Sequence, residues 1–308
     1  MHSYTLFIYT LISFLGKIRI DKQLKGVFKL FQSIFKTINH YLYHPLFLVL
    51  TIPLSYLISG TLYADQYAHF SVVHFFLLYS FTFINHLLGN FLFKKTKESI
   101  SYFQLSFIAF EIINLLLIFY FSFRVHYLAG LLLLLYSLVI HLQFYLVKQG
   151  YAWLMLVFSS IFKGGILTYL SFYVQANFIP STLFYWSIPL VLVVFLVEFG
   201  KLQLNYGSIH KDFSNDQTTL LFLKQELFNR IFLGLTVLIY LISFIIFIPT
   251  FNKLSFIILL TIPFALSIIQ SILSTKKTVP TKLKQRMLYV YSISFFIAFS
   301  IILFVHIF

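Results

Sequence analysis

Side chains able to bind or polarise a ligand gather in two stretches of this 308-residue chain. In the first, "FINHLLGNFLFKKTKES" (83–99), Asn85, His86 and Asn90 interrupt an apolar run, and Lys94, Lys95, Lys97 and Glu98 follow it. Asn85 and Gly89 lie four apart on one helical face, with Phe93 next on that face. In the second, "VEFGKLQLNYGSIHKDFSND" (197–216), Glu198, Lys201, Gln203 and Asn205 precede Asp212 and Asp216. Amide and ammonium groups are suited to phosphate or carboxylate oxygens, and carboxylates spaced D-x-x-x-D on one helical face are suited to a hard cation such as Mg²⁺. The Asp212–Asp216 segment also has the composition of an ordinary turn and helix N-cap before "QTTLLFLKQELF". Lys94, Lys148, Lys201 and Lys211 are both phosphate candidates and plain markers of topology.

Other polar residues fall inside apolar runs. Glu111, with Asn114 three residues on, lies where an unpaired ionisable group costs several kcal/mol, so it is either functional or a protonated carboxyl bonded to a neighbouring helix. Glu198 has Lys201 at i+3, the spacing of a structural ion pair. Lys163, beside Gly164 and Gly165, either faces an interior cavity or snorkels to the interface. No histidine is paired at i, i+4 with a carboxylate in the manner of a zinc site, and neither a phosphate-cradling glycine loop nor a Gly-x-Ser-x-Gly elbow occurs. With no cysteine, disulfides and thiolate metal sites are excluded.

The elements that must position these residues are membrane helices. The chain is 60% hydrophobic and 10% charged, with 41 Phe, 21 Tyr and a mean hydropathy of +0.93, which is too little polar surface for a soluble globule. Apolar runs able to cross a hydrocarbon core of roughly 30 Å recur at 45–61, 70–92, 100–123, 127–147, 151–171, 183–200, 230–248, 254–274 and 287–308. Continuous rather than alternating hydrophobicity selects helices over strands, so the expected fold is all-α with about nine transmembrane helices. The longest polar interruption is expected at 201–229.

Charge sets the orientation. If residue 45 starts from the cytoplasm, the inner loops carry Lys94, Lys95, Lys97, Lys148, Lys201, Lys211, Lys224, Arg230, Lys276, Lys277, Lys282, Lys284 and Arg286, against Arg124 and Lys253 outside. The net charge of +14 is thereby read as cytoplasmic loops meeting anionic headgroups, and no nucleic-acid partner is expected. Residues 1–43 form a separate segment before the 44–308 membrane domain. Within it Leu24, Val27, Phe28, Phe31, Ile34, Phe35 and Ile38 recur at helical spacing among lysines, as in a basic amphipathic helix on the inner surface or one packed over the bundle. The expected setting is a bacterial inner membrane, with the N-terminus cytoplasmic and the C-terminus on the opposite side.

Nine spans with polar segments after the second and the sixth resemble the UbiA superfamily of intramembrane prenyltransferases. That family ends its second span in N-D-x-x-D-x-x-x-D. Here Asn85 matches, while His86, Gly89 and Phe93 stand at the aspartate positions and Lys94 supplies the basic residue that follows. "VEFGKLQLN" resembles the family's Glu-x-x-Arg-Lys-like element through Glu198, Gly200 and Lys201. Lys148 in "HLQFYLVKQGY" echoes the lysine between spans four and five, and His44-Pro45 stands where members often have Arg-Pro. The resemblance implies Mg²⁺ bridging the diphosphate of a prenyl donor, whose allyl centre is delivered to a nucleophilic acceptor. It makes Asn85, Asn90, Lys94, Lys148, Glu198, Lys201 and Asn205 the candidates for diphosphate or ligand binding, and Asp212 and Asp216 the candidates for metal.

The expectation is therefore a divergent prenyltransferase acting on a small or lipid acceptor, with membrane lipids and an isoprenoid or lipid-like ligand as partners. The first cluster has lost its carboxylates, so the rival is a catalytically inactive relative acting as a lipid-binding or assembly subunit. A small-molecule transporter is a third reading, hinted at by Pro53, Pro189 and Pro263 as breaks in the spans.

Overall fold

A computed structural model describes residues 41–94, 100–212, 225–273 and 279–307, with side chains for all of these except 93, 94, 100–104, 144, 148, 205–212 and 273. The N-terminal amphipathic helix and Asp216 lie outside the described residues. Among those residues every regular element is helical: α1 Pro45–Ala64, α2 Val72–Lys94, α3 Ile100–Arg124, α4 Tyr127–Lys148 and α5 Ala152–Ser160. A π-helical turn, Ile161–Ile166, joins α5 to α6 Leu167–Ala176. Then come α7 Ser181–Asp212, α8 Gln225–Phe251, a 3₁₀ stretch Asn252–Thr261, α9 Ile262–Leu273 and α10 Thr281–Ile307.

Seven stretches of the described chain are long and apolar enough to cross a membrane, and Tyr127–Gln143 is a shorter apolar helix. One of the seven, Gln225–Ile272, is 48 residues long. A straight helix of that length would span about 72 Å, more than twice a hydrocarbon core. It instead turns at Asn252, whose φ of 49° is left-handed, and the 3₁₀ stretch packs back against α8.

α10 lies at the centre, packed on α1, α7 and the 3₁₀ stretch, and α1 packs on α6. The most apolar windows of α7 and α10 are each 67% buried, whereas that of α3 is 22% buried, which makes α3 a peripheral, lipid-facing helix. Tyr291, Phe295, Phe296 and Phe299 of α10 are fully buried. Many hydroxyls within the spans bond to their own helices or across helices: Thr236 Oγ1 donates to the Phe232 carbonyl at 2.8 Å, and Ser59 Oγ meets Ser300 Oγ at 2.9 Å between α1 and α10. In lipid no water substitutes for these bonds.

Small residues set the closest helix approaches. A Cβ at Gly60 would lie 2.0 Å from the Thr168 carbonyl oxygen, and one at Gly164 2.5 Å from the Val191 Cα. Pro53 and Pro189 lie inside α1 and α7 without ending them, and Pro263 falls in the first turn of α9; none marks a broken span.

The polar stretch expected to begin at 201 is helical as far as Asp212. Leu202 is buried, and Gly200 sits close under Leu288 and Phe232, so packing on α10 and α8 carries α7 past the charged residues.

At the C-terminal end of α1, the start of α7 and the end of α8 lies a layer of rings. Tyr63 is 5.0 Å from Trp186 and 5.3 Å from Phe172, Trp186 is 4.9 Å from Phe251, and Tyr67 is 5.2 Å from Phe178. Such edge-on and tilted pairs contribute about 0.5–1.5 kcal/mol each beyond their burial. Trp186 and Glu198 are twelve residues apart on α7, about 18 Å along the helix, so this layer and the polar side chains of α7 occupy opposite halves of the bundle.

Candidate functional site

In the half away from the ring layer the helices enclose a polar cavity of about 170 Å³. A single water needs only about 15 Å³, so there is room for a headgroup. The end of α2 contributes Asn85, His86, Gly89 and Asn90, and α7 contributes Glu198 and Lys201. The π-helical turn adds Lys163. A π-turn carries one more residue per hydrogen-bonded loop than an α-helix and re-aims the side chains on it. Here Gly164, directly after Lys163, allows that turn to lie against the backbone of Val191 in α7, and Gly165 faces the Val191 side chain.

Lys163, Glu198 and Lys201 form a cluster. Lys163 Nζ donates to Glu198 Oε1 and Lys201 Nζ to Glu198 Oε2, each at 2.8 Å. The side chains are 11%, 4% and 22% exposed respectively. Both carboxylate oxygens are thus occupied by ammonium groups, and the cluster keeps one positive charge in excess. Lys201 also lies over the Tyr289 ring, 5.0 Å from its centroid, an arrangement in which the ring quadrupole stabilises the cation.

Asn85 is fully buried, and its orientation is set by its neighbours. Its Nδ2 donates to the Phe81 carbonyl at 3.0 Å and to Asn114 Oδ1 at 2.8 Å. Asn114 Nδ2 in turn donates to Ser137 Oγ at 2.8 Å. Flipping the Asn85 amide would set two acceptors against each other at Phe81, so the chain α2–α3–α4 has one polarity. Asn85 Oδ1 has no hydrogen-bond partner among the described residues. With both amide hydrogens engaged and its oxygen buried, Asn85 has no free donor for a diphosphate oxygen. Asn90, one turn on, is exposed where α2 leaves the bundle and lines the same cavity.

The remaining sequence candidates are distributed as follows. Lys94 and Lys148 end α2 and α4, and Asn205 and Asp212 lie on α7, but their side chains are outside the described residues. Glu111 stays away from the cavity: its carboxyl meets His141 Nε2 on α4, while His141 Nδ1 donates to the Ser137 carbonyl at 2.6 Å. This is the interhelical partner that an ionisable group at that depth requires.

Several wall residues were not singled out by sequence. Tyr56, Tyr136, Tyr289, Gln143 and Gln285 all line the cavity. For Gln143 a signal exists: it is a polar residue in an apolar run, and a Cβ at Gly89 would come 2.8 Å from its Nε2, so Gly89 is small where the amide approaches. The tyrosines carry no such signal in a chain with 21 of them.

Mg²⁺ requires oxygen donors, usually carboxylates. The described lining has one carboxylate, Glu198, whose oxygens both hold lysines, and no three His, Asp or Glu side chains converge among the described residues. The described part of the cavity does not fit a magnesium ion. Comparison with protein-family models and with curated proteins finds no match for this chain.

Proposed function

We propose that this is a divergent UbiA-like membrane protein that binds a prenyl diphosphate in the cavity between α2 and α7 and transfers its isoprenyl group to a small or lipid acceptor. The observation that carries the reading is that the Asn85–Asn90 end of α2 and the Glu198–Lys201 segment of α7 meet at one polar cavity, the two-half arrangement the resemblance implies. In the reaction the bond between the prenyl C1 and its oxygen breaks and diphosphate leaves toward Lys163 and Lys201. The acceptor's nucleophilic atom bonds to C1, and its displaced proton passes to the released diphosphate. The apolar flanks of the cavity, among them Pro53, Ile140 and Met155, suit the isoprenoid chain.

Turnover is the test. Protein in nanodiscs, supplied with a labelled prenyl diphosphate and a membrane lipid extract, should release diphosphate and form an apolar labelled product, with Lys163→Ala abolishing both. The second reading, a non-catalytic lipid-binding subunit, is favoured by one feature, the engagement of both Glu198 oxygens by lysine. Ligand binding without any diphosphate release would select it over the transferase.

The same proposal takes the membrane domain as nine crossings in a bacterial inner membrane, N-terminus inside and C-terminus outside. It counts the fold-back at Asn252 as a passage through the outer face and Tyr127–Lys148 as a full span. The chain has no cysteine, so single-cysteine variants report cleanly. A membrane-impermeant thiol reagent should label Lys253→Cys in intact spheroplasts and Lys282→Cys only after permeabilisation. Labelling of both from the same side would remove a crossing between them.

A further inference from the structure

We infer that the cavity binds its anionic ligand through Lys163 and Lys201 in place of a metal, so that phosphate recognition is independent of divalent cations. The inference rests on the prenyl diphosphate reading and deepens it. Three observations carry it, beginning with charge. Lys163 and Lys201 share one carboxylate, leaving a buried excess positive charge in the membrane domain, which an anion compensates at close range. A second cation added beside that excess would be repelled.

The second observation is donor capacity. An ammonium carries three N–H groups. Glu198 takes one from each lysine, so N–H donors remain on both for phosphate oxygens. Charge-assisted bonds of this type are shorter and stronger than neutral ones. The third is the donor set around them. Glu198 is engaged at both oxygens, and the one free group of Asn85 is a buried, neutral carbonyl oxygen. Among the described residues a hard cation finds too few anionic ligands, while a phosphate finds two ammonium groups.

The ligand chemistry is a phosphate-bearing anion, and its source is either a prenyl diphosphate or an anionic phospholipid headgroup. The experiment uses the full chain in phosphatidylcholine nanodiscs, freed of metal with EDTA. Inorganic pyrophosphate, farnesyl diphosphate and phosphatidylglycerol are added separately, with and without Mg²⁺, and Kd and thermal stabilisation are read for each. Pyrophosphate and farnesyl diphosphate should bind in EDTA with Kd within about threefold of that in Mg²⁺. Lys163→Gln should raise that Kd by roughly tenfold to a hundredfold, as expected for loss of a charged hydrogen bond. In that variant Glu198 keeps Lys201 as its partner, so the fold is retained; a single cooperative unfolding transition without ligand checks this. Lys163→Arg should restore binding.

Binding of farnesyl diphosphate that appears only with Mg²⁺ overturns the inference and leaves the prenyl diphosphate reading intact. Failure of both diphosphates to bind under either condition, with phosphatidylglycerol also silent, overturns both. Metal-free stabilisation by phosphatidylglycerol alone, lost in Lys163→Gln, supports the ammonium site and overturns the prenyl diphosphate reading.

Discussion

Replacing Glu198 by alanine lowers the unfolding free energy by about 3–5 kcal/mol, the range for removing one partner of a buried ion pair. The side chain is 4% exposed and bonds both Lys163 and Lys201 at 2.8 Å. Its loss leaves two ammonium groups facing each other with no carboxylate between them. Either lysine removed singly costs less, because Glu198 keeps the other. Replacing all three by apolar residues of similar length, Lys163→Met, Glu198→Leu and Lys201→Met together, recovers most of the stability and can exceed it, since desolvating the ions is no longer required. Reversible unfolding in mixed micelles measures all of these. A Glu198→Ala change within about 0.5 kcal/mol of the parent, as at an ordinary surface position, would refute the cluster. The apolar triple variant also loses pyrophosphate binding, which separates the cluster's role in ligand binding from its effect on stability.

The second large effect is steric and separates three glycines by sign. At Gly164 an added Cβ meets the Val191 Cα at 2.5 Å and its nitrogen at 2.7 Å; at Gly60 it meets the Thr168 carbonyl oxygen at 2.0 Å. These are backbone atoms, so the helices themselves must part, and each Gly→Ala change costs about 1–3 kcal/mol. Gly234 on α8 has nothing within 4 Å of the same position. There alanine stabilises by up to about 1 kcal/mol through helix propensity. The same unfolding assay reads the three variants together. Gly164→Ala has a second consequence, because Lys163 precedes it on the π-helical turn: its affinity for pyrophosphate falls with its stability, whereas Gly60→Ala on α1 loses stability alone. Equal behaviour of Gly164→Ala and Gly234→Ala would contradict the close approach to α7.

Helical membrane architecture is legible in this sequence because each crossing is a continuous apolar run, and lipid leaves the backbone no alternative but its own hydrogen bonds. Helix ends are less so. Lys201, Gln203 and Asn205 look like the start of a loop, yet α7 continues through them because Leu202 is buried and Gly200 packs under Leu288, contacts between residues distant in sequence. Among site residues, Asn85, Glu198 and Lys163 stand out as polar groups in apolar runs. Sequence does not show that Lys163 reaches Glu198 across 35 positions, since that depends on a π-turn. Nor does it show that Asn85 spends both amide hydrogens within the bundle, since the Phe81 carbonyl and Asn114 decide that. Tyr56, Tyr136 and Tyr289 are invisible beforehand because lipid, core and ligand all select tyrosine alike.

The ring layer of Tyr63, Tyr67, Phe172, Trp186 and Phe251 makes the polar chamber electrically one-sided. A hydrated cavity lined by lysines between membrane helices would conduct ions if it continued to the other face. The rings meet edge-on or tilted at centroid distances of 4.9–5.7 Å and close the far side of the chamber with mostly apolar surface, so they form the barrier across which a membrane voltage drops. Moving one elementary charge through that drop is worth about 2.3 kcal/mol per 100 mV. Lys163, Glu198 and Lys201 lie on the chamber side of it and share the potential of the compartment the cavity opens to. An anion reaching them crosses almost none of the field, and its occupancy is the same in an energised membrane as in a discharged one.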